Sequence, residues 1–308
     1  MKAARIHRFG PPDVIEVEDI ALPRPATGEV LVRVSAAGVA PWDALIREGK
    51  SKVSPPPPLT LGSDLSGVVE AVGAGVSRFK NGDEVYGVTN SQFVGANAQF
   101  AVASAEMIAP KPQRLSGLEA ASVPVVAVTA WQMLFEHAHA QAGQRVIILG
   151  AAGNVGAYAV QFAKNAGLNV IAVVRSKDVE YVRSLGATEV IDEGVADFAD
   201  AAPSVDVVID TVGGETRERA FGLLKPGGIL VSVVSTEFVS PRSDVRSAFF
   251  YAAVTTARLN AISEVFDSGK VTPQVGSVVP LDEVRTAHEM LAGAPHRRGK
   301  IMLEVGPA

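Results

Sequence analysis

The segment Arg145-Val-Ile-Ile-Leu-Gly-Ala-Ala-Gly-Asn-Val-Gly-Ala-Tyr-Ala-Val-Gln-Phe-Ala-Lys-Asn-Ala-Gly-Leu-Asn-Val-Ile-Ala-Val-Val-Arg-Ser-Lys177 decides the fold of this chain. Val146 to Leu149 is a short β-branched run, the pattern of a buried parallel strand. Glycines follow at 150, 153 and 156, and an amphipathic segment then runs to Gly167, where a helix stops. A second apolar run, Val170 to Val174, completes a strand–helix–strand unit. Three glycines alone also suit an ordinary αβ turn. Between two strands they let the turn tighten and the backbone approach a pyrophosphate, whose charge sits on the free N–H groups of the helix start. The segment therefore predicts a dinucleotide site.

The end of the second strand sorts the dinucleotide. NAD sites place an Asp or Glu there, roughly 20 residues on, to bind the ribose 2′-hydroxyl. This chain has Arg175, Ser176 and Lys177 instead, with Asp178 just beyond. Two cations and a hydroxyl suit a 2′-phosphate and leave NAD without its usual acceptor, so NADPH is the expected cofactor; a solvated basic loop is the plainer alternative.

Composition excludes several classes. At 308 residues the chain suits two domains. A net charge of −5, without a basic run or a stretch of about 18 apolar residues, predicts neither a nucleic-acid nor a membrane partner. The start, Met1-Lys-Ala-Ala-Arg-Ile-His7, has no signal-peptide core, and a cytoplasmic location is expected. Cysteine is absent, which removes disulfides, a thiolate nucleophile and cysteine-held zinc. His137 and His139 are two apart, pointing to different sides of a helix, and read as surface or capping residues. No metal site is expected.

Residues 1–122 carry short alternating runs broken by Gly and Pro, the style of a β-barrel-like domain. Val30, Val32 and Val34 share one face, and Val85–Val88 and Ala98–Val102 are further strands. The Pro55–Pro58 run is read as an exposed loop. Beyond 123 strands and helices alternate: Glu189–Ile191, Val205–Asp210 and Ile229–Val234 are strands, and Ser243 to about Ser268 reads as a helix leading out. This predicts an α/β doubly wound parallel sheet over residues 123–260. The tail, 261–308, returns to the earlier style and is assigned to the first domain.

Two blocks carry a family resemblance. Gly62-Ser-Asp-Leu-Ser-Gly67-Val-Val-Glu-Ala-Val-Gly73 follows the spacing of the medium-chain dehydrogenase/reductase zinc signature, with Ser63 in place of its histidine and Asp64 in place of its glutamate. Gly143-Gln144, Ala151-Ala-Gly-Asn-Val-Gly156 and Gln161-Phe-Ala-Lys164 resemble the quinone-oxidoreductase signature, with Asn154 where a second glycine is usual. Gly82–Gly87, Val128–Trp131 and Arg298-Gly299-Lys300 resemble further blocks. The whole chain resembles the zinc-free, zeta-crystallin-like NADPH:quinone oxidoreductases, whose fold pairs a GroES-like β-barrel with a Rossmann domain.

The resemblance implies that the backbone at Gly150, Ala152, Gly153, Asn154, Val155 and Gly156 holds the pyrophosphate, and that Arg175, Ser176 and Lys177 surround the 2′-phosphate. It places Thr129 by the nicotinamide, lines the channel with Val212, Val233, Val234 and Ser235, and closes it with His296, Arg297 and Arg298. It implies a homodimer, for which the apolar Ile229–Val234 strand offers a sheet edge. Two departures stand out. Ala40 occupies the place of an asparagine that can bond substrate, and Glu193 follows Val190-Ile191-Asp192 where a tyrosine is frequent. No catalytic acid is assigned; Asp43 and Arg47 are candidates with an equally good structural role. The expected activity is hydride transfer from NADPH to a quinone, where the protein supplies position and water exclusion. Enone or enal reduction, and a non-catalytic NADPH sensor, are the alternatives.

Overall fold

The protein is described by a computed structural model covering residues 1–202, 204–234 and 238–306. The chain divides into two units, Met1–Val125 with Ala253–Ala308, and Val126–Ala252.

The first unit opens with β1 (Lys2–Ile6), β2 (Ile15–Asp19), β3 (Glu29–Val39), α1 (Pro41–Arg47), β4 (Leu59–Thr60), β5 (Asp64–Val72), β6 (Glu84–Val88), β7 (Phe100–Ser104), β8 (Ile108–Pro110) and α2 (Gly117–Ala121); α3 (Pro124–Trp131) then leads into the second unit. β3 is the hub, antiparallel to β5 and β7. Val30, Val32 and Val34 are buried together with Leu65, Val85 and Ile108. Alternation with period two thus places one side of β3 in the core.

The second unit contains β9 (Arg145–Leu149), α4 (Asn154–Asn165), β10 (Asn169–Val174), α5 (Val179–Ser184), β11 (Glu189–Asp192), α6 (Phe198–Ala201), β12 (Val205–Asp210), α7 (Gly214–Ala220), β13 (Leu224–Ser232) and β14 (Arg246–Phe249). Among the described residues its sheet runs β11-β10-β9-β12-β13-β14, every pair parallel. Ile147, Leu149, Ile171, Val173, Val208 and Leu230 fill its core, as continuous apolar strands require when helices cover a sheet.

The remainder belongs to the first unit: α8 (Thr256–Asp267), β15 (Val275–Pro280), α9 (Val284–Leu291) and β16 (Lys300–Glu304). β16 pairs antiparallel with β3, Met302 opposite Gly38. The expected helix from Ser243 is corrected here. Arg246–Phe249 is a strand paired in register with Ile229–Ser232, and the helix starts only where Thr255 caps it by accepting from Arg258 N–H. The outer strand on this side is therefore β14, not Ile229–Val234. Among the described residues no helix is long and apolar enough to cross a membrane.

Candidate functional site

The sheet order reverses between β9 and β12: the chain steps outward to β10 and β11 on one side and to β13 and β14 on the other. In doubly wound sheets such a reversal is where ligands bind, at the carboxyl ends of the strands; here the Thr211 hydroxyl ties the two turns together by donating to the Leu149 carbonyl at 2.8 Å. Gly150 takes φ +73°, and a Cβ there would lie 2.5 Å from Thr211 Oγ1. A Cβ on Gly156 would lie 2.3 Å from the Gly150 carbonyl oxygen and 2.8 Å from Ala151 Cα, so α4 approaches β9 only because that position has no side chain. Gly153 caps α4 without any side-chain acceptor. The first-turn N–H groups of the helix, at Asn154, Val155 and Gly156, therefore lack a capping side chain and suit an anion.

The opposite wall is organised by Asp210, which the sequence reading did not single out. Its carboxylate is fully buried and accepts from Val212 N–H (2.9 Å), Gly213 N–H (2.8 Å) and the Ser232 hydroxyl (2.7 Å). It ties the ends of β12 and β13 together and leaves Val212 and Val234 each 47% exposed, with Val233 half-buried. Ser235 lies outside the described residues.

At the end of β10, Arg175, Ser176 and Lys177 are exposed. The Ser176 hydroxyl donates to Asp192 Oδ1 at 2.8 Å, and the same oxygen accepts from Gly194 N–H at 2.9 Å. Glu193 follows and donates its N–H to the Val174 carbonyl. Thr129 is buried on α3. His296, Arg297 and Arg298 form an exposed stretch of the first unit before β16, where Arg297 N–H donates to Ser277 Oγ. The structure thus gathers Gly150–Gly156, Arg175–Lys177, Val212, Val233 and Val234 at the strand ends of one sheet. His296–Arg298 belong to the other unit.

The first unit buries a polar cluster where the resemblance places its zinc signature. Trp42 Nε1 donates to Ser63 Oγ (3.2 Å), and the Ser63 hydroxyl donates to Asp64 Oδ2 (3.2 Å). Val125 N–H donates to Asp64 Oδ1 (2.9 Å). Lys300 Nζ lies 2.8 Å from Asp64 Oδ2 and 4.9 Å from the Trp42 ring centroid, a contact ion pair rather than an aligned hydrogen bond. Its stem runs over Gly38, where a Cβ would lie 2.6 Å from Lys300 Cε. Asp43 Oδ2 accepts from Ala40 N–H and caps α1, while Oδ1 is buried without a partner. Burial, with the nearby Asp64 carboxylate adding to it, pushes the Asp43 carboxyl up to about 8. Arg47 is also buried; it donates to the Gly10 carbonyl and Glu48 and sits beside His288. Burial, and then the Arg47 charge, push the His288 imidazole down to about 3. Arg47 therefore serves the fold.

Comparison with known proteins agrees with this geometry. The alcohol dehydrogenase GroES-like domain family matches residues 26–113, and the zinc-binding dehydrogenase family matches residues 185–303. The quinone oxidoreductase of Pongo abelii is 32% identical over 98% of this chain and 97% of its own. The chain belongs to the quinone oxidoreductase-like medium-chain dehydrogenases/reductases. The solved quinone oxidoreductase from Coxiella burnetii superimposes on this oxidoreductase with a TM-score of 0.91 at 31% identity, covering 99% of each chain. The CurK enoyl reductase superimposes with a TM-score of 0.88 at 26% identity, again covering 99% of each chain. This family of NAD(P)H-dependent oxidoreductases binds a nicotinamide cofactor, and the uncapped α4 start between Gly150 and Gly156 fits its pyrophosphate.

Proposed function

We propose that this oxidoreductase uses NADPH to reduce quinones to hydroquinones without a metal ion. The observation that carries the reading is the β9/β12 reversal of the sheet order, with glycines at 150 and 156, an α4 start that no side chain caps, and two exposed cations, Arg175 and Lys177, at the end of β10. When bound, the nicotinamide supplies a hydride, and the quinone takes that hydride and one proton. The chain's own residues hold and orient the reactants. Asp210 fixes the Val212 turn, and Val212 with Val234 would give the nicotinamide an apolar wall. Thr129 is proposed beside the nicotinamide.

The metal-free reading rests on the donor set. Zinc in these folds is held by cysteine and histidine, and the chain has no cysteine and Ser63 at the histidine position. Asp64 is already charge-paired by Lys300, a buried cation that would repel a second one. Among the described residues, His7, Glu16 and Glu18 come within ligand distance of one another, but on an exposed ribbon where Arg5 pairs Glu18 at 2.8 Å.

A second reading, reduction of an activated C=C bond, is favoured by the likeness to CurK, an enoyl reductase. The test is NADPH consumption against a panel of quinones and short enones or enals. Faster turnover of quinones supports the first reading, faster turnover of enones the second. Tight NADPH binding with no turnover of either leaves a nucleotide-binding protein only. We further propose a homodimer joined through β14, whose outer edge and exposed Tyr251 are available for pairing. A monomeric mass by light scattering would remove this proposal.

A further inference from the structure

The end of β10 is more acidic in three dimensions than in sequence. Arg175 and Lys177 bring two positive charges, and among the described residues their side chains make no ion pair. β11 lies beside β10 in parallel register, Val174 opposite Asp192. That register sets Asp192 and Glu193 beside the basic loop, and Asp178, whose N–H donates to the Arg175 carbonyl, closes the loop. Three carboxylates therefore share two strand ends with two cations.

Asp192 does more than add charge. Its Oδ1 holds the Ser176 hydroxyl at 2.8 Å and the Gly194 N–H at 2.9 Å. Gly194 packs so closely that a Cβ on it would stand 2.8 Å from Ser176 Oγ. The serine that reads in sequence as a phosphate donor is thus already donating inside the protein. A hydroxyl has one proton to give, so Ser176 cannot serve Asp192 and a phosphate together.

We infer that Asp192 sets the cofactor preference of this pocket, both by keeping the Ser176 hydroxyl for itself and by opposing a 2′-phosphate with its own charge. The inference rests on the NADPH reading proposed above and refines it. The cations draw the phosphate in, and Asp192 holds the preference for NADPH over NADH below what the two cations alone would give. Asp192 acts as a positioning residue for Ser176 and as an electrostatic counterweight.

The experiment is calorimetric titration with 2′,5′-ADP and 5′-AMP, which differ only in the 2′-phosphate, alongside NADPH. Asp192→Asn deletes the charge but keeps an oxygen for Ser176 and Gly194, so the fold is retained. It should tighten 2′,5′-ADP roughly fivefold or more, since a phosphate carries nearly two charges, and leave 5′-AMP within about twofold. Asp192→Ala also releases the hydroxyl and should tighten 2′,5′-ADP further. That extra gain should vanish in Asp192→Ala/Ser176→Ala. Ser176→Ala alone should change 2′,5′-ADP binding by less than about twofold, because its hydroxyl is engaged elsewhere. If Asp192→Asn leaves the ratio of the two affinities unchanged while Arg175→Ala still lowers it, Asp192 is only scaffolding and the NADPH reading survives. If 2′,5′-ADP, 5′-AMP and NADPH all fail to bind the unmodified protein, the nucleotide reading falls and this inference with it.

Discussion

Lys300→Met isolates the energetics of the buried cluster. The substitution keeps an unbranched stem over Gly38 and removes the ammonium 2.8 Å from Asp64. Asp64 is 0% exposed and Lys300 1%, so water replaces neither partner. The stranded carboxylate keeps only Val125 N–H and the Ser63 hydroxyl, and Asp43 stands close enough to feel its charge. Removing one partner of a buried pair costs about 3–5 kcal/mol, because the remaining charge stays desolvated. For a unit of roughly 180 residues, at about 2–4 °C per kcal/mol, the midpoint should fall by roughly 6–20 °C. The assay is calorimetric and urea unfolding of the wild type, Lys300→Met, Asp64→Asn and the double variant. The double variant should lose at least about 1 kcal/mol less than the sum of the singles. A cost below about 1 kcal/mol for Lys300→Met, or simple additivity, would mean that the pair is solvated and that the argument from burial is wrong.

Arg175→Ala should weaken NADPH by about tenfold or more and leave NADH unchanged, since one charge-assisted contact to phosphate is worth about 1.5–3 kcal/mol; equal losses for both would reduce the loop to solvated surface. Asp43 is a carboxyl whose folded pKa, about 8, lies above its unfolded value. It binds more protons folded than unfolded, so its contribution is present below about pH 4 and is lost as pH rises toward 8. His288, pushed down to about 3, has the opposite sign and costs stability as pH falls below about 6.5. Asp43→Asn should therefore remove a decline in urea-unfolding free energy that runs between about pH 4 and 8, and curves parallel to the wild type across that window would contradict the assignment. Metal analysis of the purified protein should find no stoichiometric zinc, and chelator should leave turnover intact; one tightly held zinc per chain would overturn the metal-free mechanism.

The dinucleotide unit was legible because each of its signals is local. Val146–Leu149 and Val170–Val174 sit inside β9 and β10, and Gly167, at φ +77°, ends the helix. Turn chemistry and periodicity act over a few residues, and a single chain displays them fully. The strand at Arg246–Phe249 was read as helix because four residues carry no usable period; its identity comes from the outer edge of β13. The lock of Ser176 on Asp192 depends on strand register between segments 16 residues apart. The pairing of Asp64 with Lys300 joins positions more than two hundred residues apart, and only β16 folding back on β3 brings them together. Asp210 could have been found, since a carboxylate closing a buried strand just before Thr-Val-Gly-Gly has backbone N–H groups within reach.

The most direct test of the central claim is a single-turnover experiment. Protein saturated with NADPH is mixed rapidly with an excess of quinone, and reduced nicotinamide and hydroquinone are followed together. The account predicts loss of the NADPH signal with one hydroquinone formed per NADPH oxidised, and no reaction in Gly156→Val, whose side chain would clash with the Gly150 carbonyl, 2.3 Å from its Cβ, and push the α4 start off β9. NADPH that stays bound and reduced across quinones and enones alike would contradict it.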